Sequence, residues 1–201
     1  ILVGVRALHR KDTLHQDLKP DNIVIGTEGA CIVDFGSCWV AGVAEVGSAI
    51  SRDKILGTLD YSAPEYRYGG KIGQRSDQFS LAVILYQMLT GKHPYGDGYA
   101  KAMSLKHFQS LKYHSALQYN PLVPIWLDRA LQKALNIFPT GRYPVLSEWL
   151  QDCKRPNPQW LTAKHKPLLE RHPEKVWKIL AISGWAVALG LAIWQISVMP
   201  G

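Results

Sequence analysis

Two short stretches carry side chains whose types and spacing could do chemistry on a phosphate. In the first, His-Gln-Asp-Leu-Lys-Pro-Asp-Asn at residues 15–22, Asp17 offers a carboxylate able to accept a hydroxyl proton, and Lys19 offers a positive charge for a phosphate. Asn22 and Asp34, the latter opening an Asp-Phe-Gly turn, supply the neutral and anionic oxygen ligands that magnesium prefers. Any one of these residues alone is ordinary, but their order predicts a site that holds a metal–ATP complex beside a hydroxyl group.

The segment between the two stretches is predicted to bring them together. Short β-branched runs at residues 23–25 and 31–33 flank a Gly-Thr-Glu-Gly turn, which predicts a β-hairpin. Asn22 and Asp34 stand at the two ends of this hairpin. We therefore expect the two candidate metal ligands to lie close together.

In this order, the two stretches resemble the catalytic loop and the metal-binding turn of serine/threonine protein kinases. The resemblance implies that Asp17 is the catalytic base and that Lys19 acts in catalysis and in ATP binding. It implies that Asn22 and Asp34 bind ATP through magnesium, for which manganese could substitute. Two further motif residues would be structural: His15 and Gly36.

The resemblance continues in the run Gly-Thr-Leu-Asp-Tyr-Ser-Ala-Pro-Glu at residues 57–65, here called the docking segment. It is similar to the segment with which kinases dock their substrate, and Thr58 would be its docking residue. Far downstream, Arg142 stands where the family places the structural partner of Glu65. Loss of one member of such a buried pair would strand the charge of the other.

Residues 76–91 are predicted to form a buried helix, with Ser76 as the N-cap and Gly91 just past the C-terminal end. By resemblance, Asp77 is the buried structural aspartate that accepts hydrogen bonds from the catalytic-loop backbone. The residue is thus expected to tie this helix to the catalytic loop.

Apolar residues at helical spacing predict an upstream helix in residues 1–8, which the polar run 9–12 ends. His9 is interpreted as a polar residue at the end of that helix. The chain begins inside this helix, and no glycine-rich phosphate loop with a strand lysine occurs in it. We therefore interpret the sequence as a kinase large lobe without its N-terminal lobe, and expect the lobe alone to be inactive.

One departure from the family pattern concerns regulation. Gln16 stands where the family usually has an arginine that pairs with a phosphate on the activation segment. A neutral amide cannot form that bidentate ion pair. We therefore predict that activity does not depend on phosphorylation of the available hydroxyls, which belong to Ser37, Ser48, Ser51 and Thr58.

Composition limits the classes of partner. The chain has 201 residues, of which 47% are hydrophobic, so a sizeable core is possible. The net charge of +7 comes from basic residues that gather before an apolar tail, not from a basic stripe with interleaved aromatic residues. This pattern favours a membrane over a nucleic-acid partner. The three cysteines have no metal-ligand spacing, which is typical of reduced cytosolic thiols.

The apolar tail has the features of a membrane span. The run 179–198 contains no charged residue, and its length matches the hydrocarbon core of a bilayer. Lys and Arg are frequent in residues 154–176, whereas none follows the run, an asymmetry that places the preceding residues in the cytoplasm. The alternative, a buried helix of a soluble core, does not account for this asymmetry.

The sequence thus predicts an α+β, mainly helical kinase large lobe over residues 1–153, a basic juxtamembrane linker over 154–176 and one transmembrane helix over 177–198. The predicted function is phosphorylation of Ser and Thr in a protein substrate by a single-pass protein of the inner membrane. The alternative is a catalytically inactive pseudokinase scaffold tethered to the membrane. The organisation is also similar to bacterial proteins that join a metal-dependent protein phosphatase domain to a kinase domain.

Overall fold

Helices dominate the part of the chain that the computed structural model describes, which is residues 1–27, 29–41, 59–157 and 160. Residues 1–157 form one structural unit and residues 158–201 form another. The helices described in the first unit are α1 Leu2–His9, α2 Glu65–Tyr68, α3 Gln74–Thr90, α4 Gly98–Lys101, α5 Leu105–Ser110, α6 Ile125–Ala134 and α7 Leu146–Lys154. The strands are β1 Thr13–Leu14, β2 Ile23–Gly26, β3 Gly29–Ile32 and β4 Trp39–Val40.

The predicted hairpin is present and sits between the two chemistry-bearing stretches. Strands β2 and β3 pair antiparallel from Ile23 opposite Ile32 to Gly26 opposite Gly29. Gly29 has a φ of 119°, which a residue with a side chain rarely adopts, so glycine suits this end of the turn. The pairing continues past the strands, because the N–H of Val33 donates to the carbonyl of Asn22 at 2.9 Å.

A second pair of short strands joins the flanks of the same region. Strand β1 precedes the catalytic loop, strand β4 follows the Asp-Phe-Gly turn, and the two pair antiparallel with Leu14 opposite Trp39. The catalytic loop and the Asp-Phe-Gly turn are therefore each flanked by both strand pairs, β1 with β4 and β2 with β3. Asp17 and Asp34 are 17 positions apart in the sequence. The two strand pairs bring them into the same region of the fold.

Helix α3 forms the centre of the core. Its residues from Ser76 to Ile84 are all buried, so every face of this stretch of the helix is covered by other parts of the fold. Gly91 has a φ of 66° and donates its N–H to the carbonyl of Gln87, as predicted for the C-terminal end. The predicted N-cap is wrong: the helix starts earlier, at Gln74, and Ser76 instead accepts a hydrogen bond from the N–H of Gly73 at 3.1 Å.

Other helices cover α3 and contribute large buried side chains to the same core. Helix α6 packs on α3 and on α7, while α1 packs on α3 and α7. Residues with almost no exposed surface come from all of these elements: Val5, Phe79, Tyr86, Leu131 and Trp149. The core therefore draws on both the N-terminal and the C-terminal parts of the described chain.

None of the helices formed by the described residues is both long enough and apolar enough to cross a bilayer. The predicted span at residues 177–198 and most of the linker at 154–176 lie outside the described residues.

Candidate active site

The carboxylate of Asp17 is held by two neighbours from its own loop. The Nζ of Lys19 donates to Oδ2 of Asp17 at 2.9 Å. The Nδ2 of Asn22 donates to the same oxygen at 3.1 Å and to the backbone carbonyl of Asp17 at 2.7 Å. The side chains of Asp17 and Lys19 are partly accessible, at 18% and 20%, so a substrate could reach them.

The backbone of this loop is fixed from the core by Asp77. One carboxylate oxygen of Asp77 accepts the N–H of His15 and the other accepts the N–H of Gln16, both at 2.9 Å. Gln16 has a φ of 67°, a left-handed conformation that costs a non-glycine residue about 1–3 kcal/mol. The two hydrogen bonds from α3 offset this cost and aim the next residue, Asp17, outward. The tie expected between Asp77 and the catalytic loop is therefore present.

His9 has a buried partner that the sequence did not predict. It is 6% exposed, and its Nε2 lies 2.8 Å from Oδ2 of Asp77. His9 is the last residue of α1, as predicted, but its side chain is buried in the core and not exposed at the helix end. His9 thus buttresses the carboxylate that holds the catalytic loop.

The turn that carries Asp34 is also strained and locally stabilised. Asp34 has a φ of 60°, and its Oδ1 accepts the N–H of Gly36 at 3.2 Å. A Cβ added to Gly36 would also lie 3.2 Å from that oxygen, so a side chain here would crowd the carboxylate. The ring of Phe35 lies 5.5 Å from the ring of buried His15, which links the turn to the catalytic loop.

The thiol of Cys38 lies next to this turn and is partly buried. Burial raises its pKa to about 11, and the nearby negative charges of Asp77 and Asp34 act in the same direction. The carboxylates of Asp77 and Asp34 are thus near enough to act on this thiol.

The ion pair expected between Glu65 and Arg142 is present and has no exposed side-chain surface. It is bidentate, with Nη1–Oε1 at 2.7 Å and Nη2–Oε2 at 2.8 Å. The hydroxyl of Ser76 donates to Oε1 of Glu65 at 2.7 Å. Arg142 also donates to the carbonyls of Asn136 and Arg75. The pair thus joins the end of the docking segment to α3 and to the loop before α7.

The structure brings together most of the predicted site residues. Asp17, Lys19 and Asn22 are in direct contact, and Asp34 adjoins them through the backbone bond between Val33 and Asn22. The remaining predicted residue, the docking residue Thr58, lies outside the described residues.

A helical lobe in which a loop carboxylate, a lysine and an amide lie next to a second carboxylate is the architecture of a phosphoryl-transfer protein. The family model described as protein kinase domain matches residues 1–153, and the chain belongs to the protein kinase family.

The chain is similar to several bacterial kinases. It is 30% identical over 155 residues to the serine/threonine-protein kinase PrkC of Bacillus subtilis (strain 168), covering 77% of this chain and 23% of that protein. It is 30% identical over 213 residues to the serine/threonine-protein kinase PknD of Chlamydia felis, covering 94% of this chain and 22% of that protein. The probable serine/threonine-protein kinase PknB of Lactococcus lactis is 31% identical over 153 residues, covering 76% of this chain and 24% of that protein. The chain therefore spans less than a quarter of the length of these relatives.

Proposed function

We propose that the full-length protein is a serine/threonine protein kinase that transfers the terminal phosphoryl group of ATP to a Ser or Thr hydroxyl of a protein substrate. The observation that carries this proposal is the accessible carboxylate of Asp17, which Lys19 and Asn22 hold in one orientation. The names of the similar bacterial proteins support the same reaction and the same acceptor residues.

Asp17 has one oxygen suited to take a proton. Its Oδ2 receives the hydrogen bonds of Lys19 and Asn22, whereas its Oδ1 has no hydrogen-bond partner in the part of the chain that the structure describes. Oδ1 is therefore the atom to accept the proton of the attacking hydroxyl. The ammonium of Lys19 lies beside the same carboxylate, where it can offset the negative charge of a phosphate.

The donor set fits magnesium. With Nδ2 of Asn22 engaged by Asp17, the remaining polar atom of the Asn22 side chain is Oδ1, a neutral oxygen ligand, and Asp34 supplies an anionic one. Within the described residues no three His, Cys, Asp or Glu side chains form a metal cluster, and Mg²⁺ commonly uses few protein ligands together with phosphate oxygens. When bound, magnesium–ATP (or manganese–ATP) supplies the transferable phosphoryl group and the positive charge that balances its oxygens.

Replacement of Asp17 by asparagine in the full-length protein tests the proposal. The amide keeps the shape but cannot take the proton, so the turnover number should fall by about two to four orders of magnitude. Asp12→Asn is the matched control, because Asp12 is exposed and asparagine tolerates its φ of 49°. Turnover of D17N close to the control would refute the role of Asp17. A wild-type protein without phosphate transfer would favour the scaffold alternative.

We further propose that residues 177–198 anchor the kinase in the inner membrane and that residues 154–176 form a basic linker on its cytoplasmic side. The support is the length of the uncharged run and the Lys and Arg that precede it. Carbonate washing should leave the full-length protein in the membrane pellet, while a form truncated after Lys175 should be released. Release of the full-length protein would refute the anchor.

A fused phosphatase domain stays a prediction, since the similar proteins described above carry kinase names alone.

A further inference from the structure

The backbone of the docking segment accepts hydrogen bonds from side chains that belong neither to the catalytic loop nor to the Asp-Phe-Gly turn. Its backbone carbonyls at positions 59, 60 and 62 each meet a side-chain donor. The three donors, here called the clamp, are Arg67, His93 and Tyr99, respectively. A row of carbonyls held in this way has a fixed path, because each hydrogen bond restrains the peptide that contains it.

Arg67 connects the docking segment with helix α4 and the residues after it. Its Nη2 donates to the carbonyl of Leu59, while its Nη1 donates to the carbonyls of Tyr99 at 2.8 Å and Ala102 at 3.0 Å. The guanidinium lies 4.6 Å from the ring centre of Tyr99 and 5.1 Å from that of Phe108. Within the described residues no carboxylate pairs with it, so carbonyl dipoles and ring faces stabilise the cation. The planar guanidinium group of Arg67 reaches all of these carbonyls at once because its two terminal nitrogens carry separate donors.

Two backbone groups hold His93 in a single neutral tautomer. Its Nδ1 lies 3.2 Å from the N–H of Tyr95, which can only donate. Its Nε2 lies 3.0 Å from the carbonyl of Asp60, which can only accept. Both bonds are made only by the neutral imidazole that carries its proton on Nε2. A second proton on Nδ1 would break the bond to Tyr95 and place a cation close to Arg67.

We infer that Arg67 and His93 are positioning residues for the protein substrate, because they fix the backbone of the docking segment at Leu59 and Asp60. This inference rests on the proposed kinase function, in which this segment receives the substrate. The two residues touch neither Asp17 nor Asp34 in the hydrogen bonds of the described residues. They therefore act on the affinity for the protein substrate and not on the affinity for ATP.

The same contacts make the clamp sensitive to pH. Several titratable or charged groups surround the imidazole of His93: Asp60, Arg67, Tyr95, Asp97 and Tyr99. Burial lowers the pKa of His93 from its usual 6.5, and Arg67 acts in the same direction, while Asp60 and Asp97 partly oppose it. The folded protein thus binds fewer protons at His93 than the unfolded chain. The clamp is complete above pH 6.5 and is lost as the pH falls through the lowered pKa.

Steady-state kinetics of the full-length protein with a peptide substrate test the inference. His93→Ala should raise the KM for the peptide about threefold to tenfold at pH 7.5, the change expected for one lost hydrogen bond, with the KM for ATP unchanged. His93→Gln should restore the peptide KM, because its amide can donate and accept like the neutral imidazole. The peptide KM of the wild type should rise as the pH falls below 6.5 through the lowered pKa of His93, and that of H93Q should stay flat. Arg67→Lys should also raise the peptide KM, since an ammonium lacks the fork.

Matched variants and a second readout keep the test decisive. His107→Gln and Arg10→Lys change exposed residues of the same types, and both should behave as the wild type. Hydrogen exchange of residues 59–62 should be faster in H93A than in H107Q, whether or not the protein phosphorylates the peptide. An inactive wild type with faster exchange in H93A would refute the proposed function but support the clamp. An unchanged peptide KM together with unchanged exchange in H93A would overturn the inference.

Discussion

Arg142→Met removes the positive member of the buried pair while keeping a long apolar side chain in its place. Among the described residues, the change leaves the carboxylate of Glu65 with the hydroxyl of Ser76 as its remaining side-chain donor. It also removes the donor of three backbone carbonyls, at residues 75, 136 and 137. Since both side chains are fully buried, water cannot replace the lost partner.

The expected loss in the free energy of unfolding follows from the burial of the ion pair. A surface ion pair would change the free energy of unfolding by about 0–1 kcal/mol. Breaking a buried pair and leaving one charge behind costs about 3–5 kcal/mol. Glu65→Gln combined with Arg142→Met removes the stranded charge, so the double variant should be more stable than R142M alone although it has one further substitution.

Urea unfolding followed by tryptophan fluorescence measures the effect. With a slope of about 2 kcal/mol per molar urea, a loss of 3–5 kcal/mol lowers the midpoint by about 1.5–2.5 M. Arg155→Met, at an exposed position just after α7, is the control and should leave the midpoint unchanged. A midpoint for R142M within about 0.5 M of the control, or no recovery in the double variant, would contradict this reasoning.

Two other predictions concern the metal and regulation. Asp34→Ala should raise the magnesium concentration needed for half-maximal activity while leaving the circular dichroism spectrum unchanged; equal magnesium titrations for variant and wild type would make Asp34 an ordinary turn residue. Because Gln16 cannot receive a phosphate as an arginine would, treating the purified full-length protein with a phosphatase and then removing the phosphatase should leave its rate nearly unchanged. A large drop that rephosphorylation at Ser48, Ser51 or Thr58 restores would show that another basic residue receives the phosphate.

Local patterns in the sequence predict the parts of the fold whose causes are local. The hairpin follows from two short β-branched runs and a glycine turn, and the end of α3 follows from Gly91, whose left-handed φ favours glycine. The ion pair of Glu65 and Arg142 was predicted through the family motif, not from charge alone, since the two residues are 77 positions apart.

The residues that sequence reasoning missed have partners without a sequence signature. His9 contacts Asp77 68 positions away, and a polar residue that ends a helical pattern normally faces water. Arg67 and His93 bind backbone carbonyls, which every residue possesses, so no pairing of side-chain types reveals them. Ser76 carries the hydroxyl of a typical N-cap, but in the structure that hydroxyl serves Glu65 and the backbone of Gly73.

The left-handed backbone of Gln16 has a consequence for how the site is built. An isolated loop would relax this residue to an ordinary conformation, because it would lack the carboxylate of Asp77, which accepts the N–H groups of His15 and Gln16. Asp77 is in turn placed by the buried stretch of α3 from Ser76 to Ile84. The orientation of Asp17 is therefore a product of cooperative folding: the loop cannot loosen gradually while the core stays intact, and the chemical competence of the site and its tertiary structure should disappear in the same transition.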